Sequence, residues 1–276
     1  MKKRKIDIAV VSDIHLGASG CCAGELLSYL NSIRPKILVL NGDIIDFWQL
    51  GKGHFPKPHL QVIKKIIDLS TKETEVYYIT GNHDEALRKF GNISLGNIHI
   101  SDTLMLELDN KKTWFLHGNI FDASIQRTKH IARLGHRNYY YLAVLNKLIN
   151  RILGGLGRKK YSLSGKIKNN AKKAAKYITD FEKAASDLAI AKGYKYVICG
   201  HIHHPQLLRK VNRYGTCLYL NSGDWVENLS ALEYRRGKWK LYYFKEDKLS
   251  PFYADEELKT MDYKELLAAI TITGKR

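Results

Sequence analysis

The chain has 276 residues, 45% of them hydrophobic, enough for the core of one large α/β domain or two small ones, which excludes general disorder. Lysine and arginine number 45 against 27 acidic residues, and the net charge of +18 expects an anionic partner: nucleic acid, anionic lipid or a phosphorylated substrate. No apolar run approaches the roughly 18 residues that span a bilayer, and the basic residues 1–5 lead into a short strand with no small-residue cleavage site, so the chain reads as cytosolic. Cys21, Cys22, Cys199 and Cys217 form no C-x-x-C pair and read as buried or incidental thiols.

In chain order, residues 6–11 are a β-rich run and 26–33 have helical spacing before Pro35. Residues 37–40 form a second strand, 60–69 a helix and 76–80 a third strand. This alternation predicts a layered α/β sheet with its ligand site at the strand ends. Residues 104–108 and 113–116, separated by Asp109-Asn110, read as a hairpin. From 124 to 191 the period turns helical: Leu142, Leu145, Leu148, Ile149, Ile152, Leu153 and Leu156 recur at steps of three and four, and a second helical stretch covers about 167–191. Strand signals return at 196–199, 218–221, 229–234 and 239–244, so residues 124–192 read as a helical insertion within one domain spanning 1–276. Residues after Pro251 read as a C-terminal helix or tail.

Five short blocks follow strands, and each carries metal-ligand chemistry. They are Asp13-Ile14-His15, Gly42-Asp43-Ile44-Ile45-Asp46, Gly81-Asn82-His83-Asp84, His117-Gly118-Asn119 and Gly200-His201-Ile202-His203-His204. Residues two apart on extended chain project to the same side, so Asp13 and His15 can share an ion, and His201 and His203 offer two imidazoles. Glycines before Asp43, Asn82 and His201 are expected to let the backbone turn sharply into the site. Any single block is weak, because a lone histidine at a strand end is usually structural; five in this order are not explained that way. Carboxylate, carboxamide and imidazole together suit Mn, Fe or Zn better than calcium. His54, His59, His99, His130 and His136 lie outside the blocks and read as surface or packing residues.

The order D-x-H, G-D-x-x-D, G-N-H-D, H-G and G-H-x-H resembles that of the calcineurin-like metallophosphoesterases over residues 7 to about 225. The resemblance implies a layered β-sandwich flanked by helices, holding two divalent ions, most simply manganese. It implies Asp13, His15, Asp43 and His203 as ligands of one metal, and Asp43 (bridging), Asn82, His117 and His201 as ligands of the other. His83 then stands beside the phosphate and Asp46 orients it. Ser12-Asp13-Ile14-His15-Leu16-Gly17, Ile44-Ile45-Asp46-Phe47-Trp48, the late Asn221-Ser222-Gly223-Asp224-Trp225-Val226-Glu227 and the insertion resemble one branch, the UDP-2,3-diacylglucosamine pyrophosphatases of lipid A synthesis. That branch implies hydrolysis to UMP and 2,3-diacylglucosamine 1-phosphate, with acyl chains under a helical lid. Two departures stand out: the best-known members carry arginine where this chain has His83, and Asn119 replaces the usual aspartate.

The insertion carries fourteen lysines and arginines and no acid between Asp122 and Asp180, interleaved with Tyr139-Tyr140-Tyr141 and the apolar stripe. That mixture suits an anionic membrane surface, since aromatic rings and cations favour the interface. Lys160, Ser162, Ser164, Lys166 and Lys168 read as a loop-like polar run, in which Ser164 and Lys168 can grip a diphosphate or sugar beside Asn82, His83 and His204. The partners the resemblance implies are a nucleotide-sugar lipid and, with the basic insertion, the anionic surface of the inner membrane, with the enzyme peripherally attached on the cytoplasmic side. Two other readings use the same residues: a nuclease or other metal-dependent phosphodiesterase, against which the leucine interleaving argues, and a non-catalytic basic binding protein, against which the complete ligand set argues. No G-x-x-x-x-G-K-[ST] is present, which excludes a P-loop nucleotidase.

Overall fold

The computed structural model describes residues 3–50, 55–126 and 164–247. It divides into two compact units, one of residues 1–119 with 186–276 and one of residues 120–185. The described part of the second unit contains α4 (Ile120–Gln126) and most of α5 (Ser164–Ala191), where Phe121 and Phe181 meet edge to face at 5.5 Å. The apolar stripe, the three tyrosines and the tail after Pro251 lie outside the described residues.

In the first unit, β1 (Arg4–Val11), β2 (Ile33–Asn41), β3 (Glu75–Ile79) and β5 (Ile98–Ser101) run parallel. β11 (Ser230–Arg235) and β12 (Lys238–Tyr243) extend that sheet antiparallel beside β1, and β4 (Ile93–Leu95) closes it beside β5, giving the order β12-β11-β1-β2-β3-β5-β4. A second sheet has the order β6-β7-β8-β10-β9, built from Thr103–Leu108, Lys111–Leu116, Tyr196–Cys199, Gly215–Asn221 and Gln206–Asn212.

Side chains alternate across a strand, so one run can serve two cores. Ile8 and Val10 of β1, Val39 of β2 and Ile79 of β3 pack with Phe115, Ile198 and Leu220 of the second sheet. Ala9, Val11, Leu38, Leu40 and Val76 face the other way, onto Leu26, Tyr29 and Leu30 of α1 (Ala23–Ser32) and Val62, Ile66 and Leu69 of α3 (Lys57–Ser70). Both faces of the parallel strands are covered, which is why they read as continuous apolar runs. The result is a β-sandwich with helices outside it, the α/β class expected.

Two boundaries differ from expectation. Ile33 opens β2 rather than closing α1, because Ile33, Arg34 and Pro35 pair with Arg4, Lys5 and Ile6 of β1. Pro35 biases Arg34 toward extended backbone, and its carbonyl accepts the Thr74 hydroxyl at 2.8 Å. The 104–108 and 113–116 runs do form the hairpin, extended to β6 and β7, with Asp109 and Asn110 both left-handed (φ 48° and 59°), as a type I′ turn requires. All four cysteines are free thiols.

Candidate metal centre

The site is built where β1, β2, β7 and β8 end and from the loop after β3. The loops leaving β1 and β2 run side by side: Asp13 N–H donates to the Gly42 carbonyl, Ile14 and His15 N–H to that of Asp43, and Leu16 N–H to that of Ile44, all at 2.8–3.0 Å. This pairing carries Asp13 and Asp43 into the same place. Among the described residues, nine non-glycine positions have positive φ, and five of them are Asp13, His15, Asp43, His201 and His203. Such backbone costs about 1–3 kcal/mol each and persists only where the surroundings enforce it, so its concentration on these residues marks a functional centre.

Two donor sets converge. Asp13, His15 and His203 offer ligand atoms within 4.8 Å of one another, and so do Asp43, His117 and His201. A third set, His15, Asp43 and His83, overlaps both through Asp43 and His15. Asp43 Oδ2 lies 3.3 Å from His117 Nε2, while Asp43 Oδ1 accepts the His83 N–H at 2.8 Å. Asp13 Oδ1 stands 3.2 Å from His203 Nε2, and both its oxygens receive the His201 N–H. His117 Nδ1 sits 2.9 Å from the Asn41 carbonyl, which leaves Nε2 turned toward Asp43. Asn82 Oδ1 and His117 Nε2 are buried and make no hydrogen bond. Buried polar atoms are rarely left so, and a cation bound here would satisfy both. The donors are carboxylate, imidazole and carboxamide, which fit a pair of divalent transition ions sharing Asp43.

The electrostatics agree. Burial opposes ionisation of Asp13 and Asp43, yet His203 beside the first and His117 beside the second outweigh it and hold both carboxyls low, Asp13 at about 2. Burial likewise disfavours a charged His117 and His203, but Asp43 lifts the former to about 10 and Asp13 the latter to about 9. His15, with burial dominant, falls to about 4. Proton and cation thus compete for the positions between carboxylate and imidazole, and binding an ion releases protons.

His83 approaches from the other side. Its Nδ1 lies 3.3 Å from Asp46 Oδ2, and its Nε2 4.0 Å from Asp43 Oδ2. Burial disfavours the charged ring, but Asp46 and then Asp43 raise its pKa. Asp46 Oδ2 is also 3.9 Å from His15 Nδ1. His204, half-buried, follows His203 at the rim. Ser164 and Lys168 belong to the first turns of α5 rather than to a loop, and their side chains lie outside those described.

Three supports escaped sequence reasoning. Asp84 is fully buried; its Oδ2 accepts from Ile44 N–H (3.0 Å) and Tyr78 hydroxyl (2.8 Å), and its Oδ1 from Gly81 N–H, tying the Asn82–His83 loop to the Asp43 loop. Asp224 is fully buried behind His203, with Oδ2 3.8 Å from Nδ1, while Oδ1 caps the N–H groups of Val226 and Glu227 at 2.8 and 2.6 Å. Ser12 and Ser222 hydroxyls meet at 2.7 Å beneath the Asp13 and His201 loops. The signal for Asp84 is its place in the G-N-H-D block; nothing about Asp224 in the sequence marks it apart from its neighbours. His59, read as a packing residue, is buried and accepts the Gly17 N–H at 2.8 Å.

Carboxylates behind ligating histidines set their orientation and basicity. Asp224→Asn, which keeps the oxygen that caps Val226 and Glu227, is therefore expected to weaken Mn²⁺ binding about 10–100-fold. Calorimetric titration of the apoprotein reads this, and an unchanged affinity would rule out any support of His203 by Asp224.

The calcineurin-like phosphoesterase family model matches residues 6–205. UDP-2,3-diacylglucosamine hydrolase of Blochmanniella pennsylvanica is 26% identical over 209 residues, covering 73% of this chain and 81% of its own. The protein of that name from Shewanella sp. (strain W3-18-1) is 25% identical, covering 80% and 90%, and that of Aliivibrio fischeri 24%, covering 82% and 94%.

Proposed function

The chain belongs to the calcineurin-like phosphoesterase family, and from that premise we propose that it hydrolyses the diphosphate of UDP-2,3-diacylglucosamine to UMP and 2,3-diacylglucosamine 1-phosphate. Metal-dependent hydrolysis of a phosphoester is the family's chemistry and is this protein's. The lipid substrate is supported by the relatives of that name, which align over 73–82% of the chain.

In this reading Asp13, His15 and His203 hold one ion and Asn82, His117 and His201 the other, with Asp43 between them. Two such ions, manganese in our proposal, would supply Lewis-acid stabilisation and lower the pKa of an attacking water. His83 faces the phosphoryl group with Nε2 while Asp46 holds Nδ1. As the water oxygen bonds to phosphorus, the P–O bond to the leaving phosphate breaks; His83 Nε2 donates its proton to the leaving oxygen, and the water's proton passes to solvent. Ser164, Lys168 and His204 are our candidates for holding the nucleotide-sugar portion, and residues 124–192 are read as an insertion within one catalytic domain. Among the described residues no helix is long and apolar enough to cross a membrane; the enzyme works peripherally, at the cytoplasmic face of the inner membrane, with the basic insertion toward anionic lipid.

The test is product analysis with Mn²⁺ present. UMP release from UDP-2,3-diacylglucosamine is expected, with an oligonucleotide left intact. Cleavage of the oligonucleotide with the lipid untouched would overturn the substrate assignment in favour of a nuclease.

A further inference from the structure

Trp48 is an exposed tryptophan, 65% accessible, on a helix of only four residues, α2 (Phe47–Leu50). Its indole lies over His83: the ring centroids are 4.1 Å apart with planes at 41°. His15 meets the same imidazole edge to face, at 4.6 Å and 87°. Asp46 links the two residues, since its Oδ1 accepts the backbone N–H of Trp48 at 3.1 Å while its Oδ2 stands 3.3 Å from His83 Nδ1. The Phe47 N–H donates to the His83 carbonyl at 3.3 Å, so the helical turn is fastened to the histidine's backbone as well. The His83 ring is thus bounded by the indole, by the His15 ring and by a carboxylate at Nδ1, and Nε2 is left toward Asp43. A ring that faces a carboxylate at Nδ1 without a hydrogen bond can still rock about that contact; a flat aromatic neighbour restricts its plane.

We propose that Trp48 is a positioning residue for the reaction, holding the His83 imidazole in the plane that aims Nε2 at the phosphoryl group. This rests on the role given to His83 above and on no particular substrate, so an aryl phosphodiester with Mn²⁺ serves as probe. His83→Ala is expected to lower kcat about 100-fold or more, as loss of a positioned acid does. Trp48→Ala is expected to lower kcat about tenfold, with KM within about twofold and the bound Mn²⁺ per chain unchanged. Trp48→Phe, which keeps a flat ring, should recover most of that loss. Because the indole acts through the histidine, His83→Ala/Trp48→Ala should be no slower than His83→Ala alone. A double variant slower by the full Trp48→Ala factor would place the indole on the substrate instead and overturn the proposal. If His83→Ala alone leaves kcat unchanged, the role of His83 is wrong and the proposal falls with it, a result distinct from the additive one.

Discussion

Asp43→Ala is expected to lower kcat at least about 1,000-fold on any phosphoester, the loss that follows from removing several kcal/mol of metal-borne transition-state stabilisation. Asp43 is the one carboxylate common to two of the donor sets, Asp43 with His117 and His201 and Asp43 with His15 and His83. Its backbone carbonyl also receives Ile14 and His15 N–H, and that link survives the substitution. What is lost is the carboxylate that faces His117 Nε2 and accepts the His83 N–H. Two readouts are needed together: turnover with added Mn²⁺, and Mn²⁺ retained per chain after gel filtration, expected to fall from two to one or none. Asp43→Asn keeps the shape and the acceptor for His83 but removes the charge, so it should retain the fold with most of the activity gone. Full turnover in Asp43→Ala would refute the shared-carboxylate arrangement, whatever the substrate is.

The centre was legible because its chemistry is local in sequence and repeated at successive strand ends. Asp13 and His15, or His201 and His203, sit two apart, and each pair follows a strand that is itself plain from its apolar run. The supports were not legible because they are long-range. Asp84 reaches back forty residues to the Ile44 N–H, and Asp224 reaches His203 across a turn whose own N–H groups it caps. A buried carboxylate whose donors are mostly backbone N–H groups looks, in sequence, like any surface aspartate. The missed strands have a different cause. β4 and β5 are three and four residues long, too short for a period to register, and β9 lies at a sheet edge with Arg209 and Val211 exposed. The charge reading divides the same way. Of the fourteen basic residues in the insertion, Lys166, Lys168, Lys172, Lys173 and Lys176 fall on α5 and the other nine lie outside the described residues.

The glycines of the blocks give the sharpest disagreement with sequence reasoning, and a prediction with it. Freedom to turn was the expected reason for all three, yet only Gly42 has positive φ, at 85°. Gly81 and Gly200 matter because a carboxylate of the site occupies the place of a side chain. A Cβ on Gly81 would fall on Asp43 Oδ1 and lie 2.5 Å from its backbone nitrogen; one on Gly200 would lie 2.5 Å from Asp13 Oδ2 and 2.8 Å from Ser12 Oγ. Neither contact can be relieved by rotating a flexible chain end, because Asp13 and Asp43 are buried carboxylates and their backbone is pinned by the paired loops. Gly81→Ala must therefore push the Asn82–His83 loop away from Asp43. Displacing reacting groups by about 1 Å costs about 100-fold in rate, so kcat is expected to fall at least that far, with Mn²⁺ affinity reduced alongside it. Gly24 is the control. It lies in α1 with nothing within 4 Å of an added Cβ, so Gly24→Ala should leave kcat unchanged and raise unfolding free energy by about 0.4–1 kcal/mol, read by denaturant titration. If Gly81→Ala turned over like Gly24→Ala, the close approach of the two loops would not be what holds the donors together.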